Sequence, residues 1–246
     1  MPWKRASIKR AIWPLRYVFV LAIAIGCLTF VMQTGRSLLG PVGLFLAAWV
    51  VMGTIVDLLG RTGRGEGRLR RLARLPRADW GKMVAHAGLG VTIAGVAGIT
   101  AWQMDDIRAV ELGNSYDVGQ YTVRLDDVQR VQGPNYVSTT GYVTLFQDGT
   151  EIARLEPEKR FYPVAQMPTT EAAIDYNLLR DVYVVIGDEQ DTGGWVVRTY
   201  VKPLTNWIWI GCALMALGGM LSLSDRRFRV AAGAAKAKPK RTVPAE

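Results

Sequence analysis

Residues 80–102 read WGKMVAHAGLGVTIAGVAGITAW. This stretch is long enough to cross a bilayer. It carries a tryptophan at each end, where amphipathic rings favour the headgroup level. It also contains His86, the one histidine in 246 residues. An ionisable or metal-ligating side chain is costly to place in a membrane helix, so His86 poses a functional question by default.

Working outward, three more uncharged apolar runs appear: Tyr17–Met32, Leu38–Val56 and Trp207–Leu223. A crossing helix needs roughly 17–25 residues. The first and last runs reach that length once interfacial residues such as Thr34 or Leu204–Asn206 are added. The pattern predicts an α-helical membrane protein with an inserted all-β domain. Its parts are a basic lead, membrane helices near 17–34, 38–57 and 82–102, a water-facing domain at 103–205, a fourth helix at 206–224, and a basic tail at 225–246. The first run does not read as a cleaved signal peptide. Its apolar stretch exceeds a typical h-region, and VMQTGRSLLG offers no small-x-small cleavage site.

Charge sets the expected orientation. Twenty of the 30 Lys and Arg fall in three segments: before the first helix, between the second and third (Arg61 to Lys82), and after the fourth. Four crossings put all three on one side, and the positive-inside rule makes that side the cytoplasm. The domain at 103–205 holds 9 basic and 16 acidic residues, and is expected to be periplasmic. The net charge of +9 is therefore a sum over two faces. The arginine-rich loop GRTGRGEGRLRRLARLPR is accounted for by topology and anionic lipid, with no nucleic acid partner. Asp57, near the end of the second helix, is expected to snorkel rather than to carry protons.

The inserted domain reads as β structure. Tyr121–Val131 and Tyr142–Gln147 alternate apolar with polar residues, and Asp148-Gly149 signals a tight hairpin into Thr150–Leu155. Val182–Ile186 and Trp195–Val201 are further strands, with Gly193-Gly194 between them, and prolines mark loops. A small antiparallel barrel or sandwich of roughly six to eight strands fits. No catalytic triad, functional carboxylate pair or phosphate loop is present. Arg160, Tyr162, Glu171 and Arg198 read either as an interaction surface or as solvated strand faces. Cys27 and Cys212 fall inside membrane runs and read as small buried hydrophobes. The low-complexity tail is expected to be disordered.

On the third helix, His86, Gly90, Ala94, Ala97 and Ala101 share a face at helical spacing, and Gly88, Gly95 and Gly98 broaden it. Such a face admits another helix, or a flat ring beside the histidine. At 1.5 Å per residue His86 lies roughly 9 Å from Trp80, in the inner half of the membrane. Chemistry alone leaves three roles open for it: a polar packing residue, a haem or metal ligand, or a proton relay. One histidine supplies one axial ligand, so a bis-histidine haem would need a second from another chain.

Five blocks carry a resemblance: PWKR at 2–5, WGKMVAHAGLGV at 80–91, RFYPVAQMPTTEAAI at 160–174, DVYVVIGD at 181–188, and the run from Trp195 to Arg229. Together they resemble the C-terminal part of the CcmF family, the haem lyases of System I cytochrome c maturation. The resemblance implies a bacterial inner-membrane protein working with CcmH- and CcmI-type subunits. Such a lyase takes haem from the chaperone CcmE and joins it to the CxxCH thiols of apocytochrome c. It also implies a b-type haem in the membrane, held by two helix histidines, with His86 matching the second ligand and Gly90 and Ala94 facing the ring. The family's tryptophan-rich segment, its periplasmic histidines and the other membrane histidine have no counterpart here. The chain is thus expected to be a split subunit or a truncation, inactive as a lyase without an N-terminal CcmF-like half. Two alternatives are a docking subunit without its own haem and a ResB-like System II component.

Overall fold

The computed structural model describes residues 13–63, 65–191 and 193–225. The basic residues expected before position 13 and after 225, together with Arg64, lie outside the described residues. Among these residues four helices are long and apolar enough to cross a membrane. They are α1 (Arg16–Met32), α2 (Leu39–Thr62), α4 (Arg77–Trp102) and α5 (Thr205–Leu223), with a short α3 (Arg68–Ala73) between α2 and α4. The chain divides into two compact units, and the division cuts across the helices.

Among the described residues, the first unit comprises 13–26, 44–63, 65–94 and 208–225. Glycine holds it together. Gly81 and Gly88 lie on one face of α4, Gly211 and Gly218 on one face of α5, each pair seven residues apart. A Cβ on Gly88 would meet the Gly211 carbonyl oxygen at 2.7 Å, and one on Gly218 would meet the Gly81 carbonyl oxygen at 2.6 Å. The two helices therefore run antiparallel with backbones in direct contact, which a residue larger than glycine forbids. Gly90 packs α4 against Ala47 and Val51 of α2. Phe19 of α1 meets Phe45 and Trp49 of α2 edge-on, with centroids 6.0 and 5.4 Å apart. Cys212 is a free thiol on an exposed surface of α5, and Cys27, in the other unit, is likewise exposed on α1. Both lie on helices apolar and long enough to cross a membrane, away from the faces where the helices pack on one another.

The second unit comprises residues 27–43 and 95–207. It includes the α1–α2 connection, tied to the end of α4. Thr34 donates from its backbone N–H to the Ala101 carbonyl at 3.0 Å, and Trp102 Nε1 donates to the Met32 carbonyl at 3.1 Å. Gly40 and Gly43 sit against Ala101 and Ala97.

Among its described residues the domain that follows has ten strands, more than the six to eight expected. They are β1 (Met104–Val110), β2 (Ser115–Val118), β3 (Tyr121–Gln132), β4 (Val137–Gln147), β5 (Thr150–Leu155), β6 (Glu158–Tyr162), β7 (Met167–Glu171), β8 (Ala173–Tyr176), β9 (Arg180–Glu189) and β10 (Trp195–Pro203). All pair antiparallel in two sheets, ordered β1-β10-β9-β8 and β2-β3-β4-β6-β7, with β5 also on β4. The result is a sandwich rather than a closed barrel. Its core interleaves Val182, Val184 and Val197 of one sheet with Val123, Leu125, Val143 and Leu145 of the other. Tyr116 of β2 joins the sheets by a 2.7 Å hydrogen bond between its hydroxyl and that of Thr199 on β10.

Asp148 and Gly149 both take positive φ, 50° and 76°, as the expected two-residue hairpin turn demands. The strands beyond the expected set are short or polar outside. Met167–Glu171 contains Pro168, which a sheet tolerates at its edge, where β7 lies.

Candidate functional site

α4 starts after Pro76, whose carbonyl accepts from Asp79 and Trp80, while the Ala78 N–H donates to Asp225 at 3.1 Å. One turn on, Asp57 of α2 accepts from Lys82 Nζ at 3.0 Å and from Arg61 at 3.1 Å. Arg61 also donates to Asp79 at 2.6 Å. Asp57 is thus the centre of an ion network joining α2 to α4. The four side chains are partly exposed, near the ends of the two helices.

His86 follows one turn after Lys82. Its Nδ1 lies 2.7 Å from the Lys82 carbonyl oxygen. A carbonyl has no proton to give, so Nδ1 carries the hydrogen and donates. In the neutral imidazole the lone pair then sits on Nε2, which has no partner among the described residues. The side chain is exposed on the helix. Histidine ligands of metals commonly donate their second ring N–H to a backbone carbonyl, which fixes tautomer and ring orientation.

The neighbours expected beside His86 behave differently from one another. Gly90 lies about 40° round the helix from His86. A Cβ there would meet Val51, and the Ala47 carbonyl oxygen at 3.2 Å. The glycine lets α2 approach α4 closely at this point. Ala94 is half-buried. Ala97 and Ala101, in the second unit, are buried against α2 as well.

Among the four surface candidates of the β domain, three come together. Arg160 pairs with Glu158 at 2.6 Å and with Glu171 at 3.8 Å. Its guanidinium lies 4.6 Å from the centroid of Tyr136, which packs on Tyr162 at 5.5 Å. Arg198 stands apart on the other sheet, over Tyr200.

A second buried cluster escaped the sequence reading. Arg180 donates through Nε to the Tyr121 hydroxyl at 3.0 Å and pairs with Asp175. Beside it, Asp181 accepts from Asn206 Nδ2 at 2.9 Å, and burial raises its carboxyl above the usual range. The signal was an arginine and an aspartate opening an otherwise apolar strand.

Residues 101–203 match the family described as the CcmF C-terminal beta-sandwich. The cytochrome c-type biogenesis protein ccl1 of Rhodobacter capsulatus is 51% identical over all of this chain, which covers 37% of that protein. The chain belongs to the CcmF family. Cytochrome c-type biogenesis protein CcmF of Pseudomonas aeruginosa is 40% identical over 75% of this chain and 28% of its own length. The solved structure titled Cytochrome c Heme Lyase CcmF shares the fold, with TM-score 0.64 at 19% identity over 89% of this chain and 35% of that one. The chain thus spans roughly a third of the length of these CcmF relatives and matches their C-terminal sandwich.

Proposed function

We propose that this chain is the C-terminal part of a membrane haem lyase for cytochrome c maturation, in which His86 supplies one axial ligand to a b-type haem. The carrying observation is the histidine itself: exposed on a membrane helix, with Nδ1 held at 2.7 Å by the Lys82 carbonyl and Nε2 left to bind. The donor set fits half of such a site. His86 is the sole histidine, and no group of three or more His, Cys, Asp or Glu able to hold a metal occurs among the described residues.

A haem bound there supplies a one-electron redox centre. The chain's own part is to hold the ring. The Lys82 carbonyl fixes the ring's orientation and the tautomer whose lone pair lies on Nε2. Glycine contacts to α2 and α5 keep α4 from shifting. The second ligand and the segment handling substrate haem belong to an N-terminal CcmF-like half. The acidic sandwich faces the periplasm of a bacterial inner membrane and meets CcmH- or CcmI-type subunits, the chaperone CcmE or apocytochrome c.

A reduced-minus-oxidised optical spectrum tests this, with the chain co-expressed with its N-terminal half. A b-type signal lost in His86→Ala supports the ligand role. The same signal in both proteins overturns it and returns His86 to packing. A docking subunit without haem is the second reading. It draws on the Arg160–Tyr136–Tyr162 cluster and the exposed Phe161, Val164 and Met167 around it. Absence of any signal from an assembled pair would favour it.

A further inference from the structure

The turn between β8 and β9, residues 177–180, has an unusual surface. Tyr176 is 72% exposed, and Leu178 and Leu179 are each 66% exposed. A turn in water is ordinarily polar, and here the polar groups are withdrawn. The Arg180 side chain, 8% exposed, is folded back onto Tyr121 and Asp175. The Asn177 side chain turns inward and accepts from the N–H groups of Leu179 and Arg180 at 2.8 and 2.9 Å.

The backbone is closed off as well. The Asn177 N–H donates to the Arg180 carbonyl at 2.9 Å. The other three carbonyls accept from the start of α5. Asn206 Nδ2 donates to Asn177 O at 2.7 Å, Trp207 Nε1 to Leu178 O at 2.9 Å, and the Leu204 N–H to Leu179 O at 2.8 Å. All four carbonyls of the turn therefore have donors. Irregular backbone enters lipid only when its polar groups are satisfied within the protein. The turn shows apolar side chains, has no free carbonyl, and leaves only the Leu178 N–H without a partner among the described residues, a group that water still reaches at the headgroup–acyl boundary.

Its depth is fixed by the same bonds. Leu204, Asn206 and Trp207 flank and open the first turn of a membrane-crossing helix, and the Trp207 ring belongs at the headgroup level. Leu204 holds φ at 60°, a left-handed value that leucine rarely adopts, with its N–H on Leu179. The junction is thus shaped around the turn.

We propose that the β8–β9 turn is a membrane anchor: Tyr176, Leu178 and Leu179 insert into the headgroup–acyl boundary of the leaflet where α5 begins. The occupant of this apolar surface is lipid, because the turn is bound to the residues that enter that lipid. The anchor holds the sandwich by a second point besides its chain connections.

The test uses the full chain with Cys27→Ser and Cys212→Ser, reconstituted in phosphatidylcholine–phosphatidylglycerol vesicles. A single environment-sensitive fluorophore is attached at Leu178→Cys, and in a second protein at Val164→Cys. Val164 is 99% exposed at the tip of another hairpin. The Leu178 label is expected to be blue-shifted, several-fold less quenched by aqueous iodide than the Val164 label, and strongly quenched by lipids carrying a shallow nitroxide. Trp207→Phe, which keeps a ring but removes the donor, should raise iodide quenching at Leu178. Tyr176→Cys repeats the measurement if Leu178→Cys misfolds. Equal iodide access at Leu178 and Val164 overturns the proposal. So does shielding that appears in native membranes but not in vesicles, which would make the occupant a protein.

Discussion

The sandwich and the helical unit bury opposite kinds of residue. In the sandwich most of the largest fully buried side chains are apolar: Leu125, Leu145, Ile186, Val123 and Val184. In the helical unit Gly81, Gly88, Gly90, Gly211 and Gly218 lie buried, while Phe19, Leu21, Trp209, Leu217 and Met220 are exposed. The same physics acts on two solvents. Water drives apolar surface inward in the domain. Lipid tails are as apolar as leucine, so no such force acts between the helices. Close backbone approach, with the dispersion contacts it allows, holds them instead. A substitution's sign should therefore depend on which solvent the unit was built for.

The largest effect is expected from Leu145→Ala. The side chain is 0% exposed between the sheets. Its loss removes transfer energy and leaves a cavity, at a cost of about 3 kcal/mol. Leu21→Ala, on the exposed side of α1, removes as many atoms and should change stability little. Denaturant unfolding of the full chain in detergent checks both. Equal costs would break the contrast.

Adjacent glycines of α5 give the reverse experiment. A Cβ on Gly218 would meet the Ala85 nitrogen at 2.5 Å and the Gly81 oxygen at 2.6 Å, both backbone atoms that cannot step aside. Nothing lies within 4 Å of the Cβ position on Gly219. Gly218→Val should cost about 2 kcal/mol by forcing α4 and α5 apart, and Gly219→Val should be close to neutral. Thermal unfolding in detergent distinguishes them. Equal loss from both would mean that glycine matters here through helix propensity and not through contact.

The sequence showed some of this contrast directly. Apolar runs and their charged flanks mark the four helices because a bilayer demands both. The Asp148-Gly149 turn is legible because two positive φ angles need such residues. The glycine faces were only half legible. A strip centred on His86 was visible, but helical spacing does not say which neighbour fills it. α2 took Gly90, and α5 took Gly81 and Gly88 on the opposite side. β6, β7 and β8 lacked the alternation that marks strands: all three are four or five residues long with no fully buried side chain, and β7 and β8 are sheet edges. For the Arg180 cluster the Arg180-Asp181 pair opening β9 was a local hint, but its partner Tyr121 lies 59 residues earlier in the chain, beyond any local pattern.

The smallest effect concerns the polar contact inside the sandwich. Tyr116→Phe removes the hydroxyl that bonds Thr199, leaves that buried hydroxyl with one partner fewer, and should cost about 1 kcal/mol below pH 9. Burial pushes the Tyr116 phenol up from 10.0 to about 12, against a smaller lowering by the Thr199 bond. The folded state therefore holds this proton more tightly than the unfolded chain. The resulting stability is fully present below pH 10 and is lost as pH rises through about 12. The phenylalanine variant has no such proton, so its stability should fall less steeply over that window. The gap between the two proteins should narrow as alkali is added. Parallel alkaline curves would show that this phenol is not held in the dry core between the sheets, and would remove the polar tie from the account of how the sandwich closes.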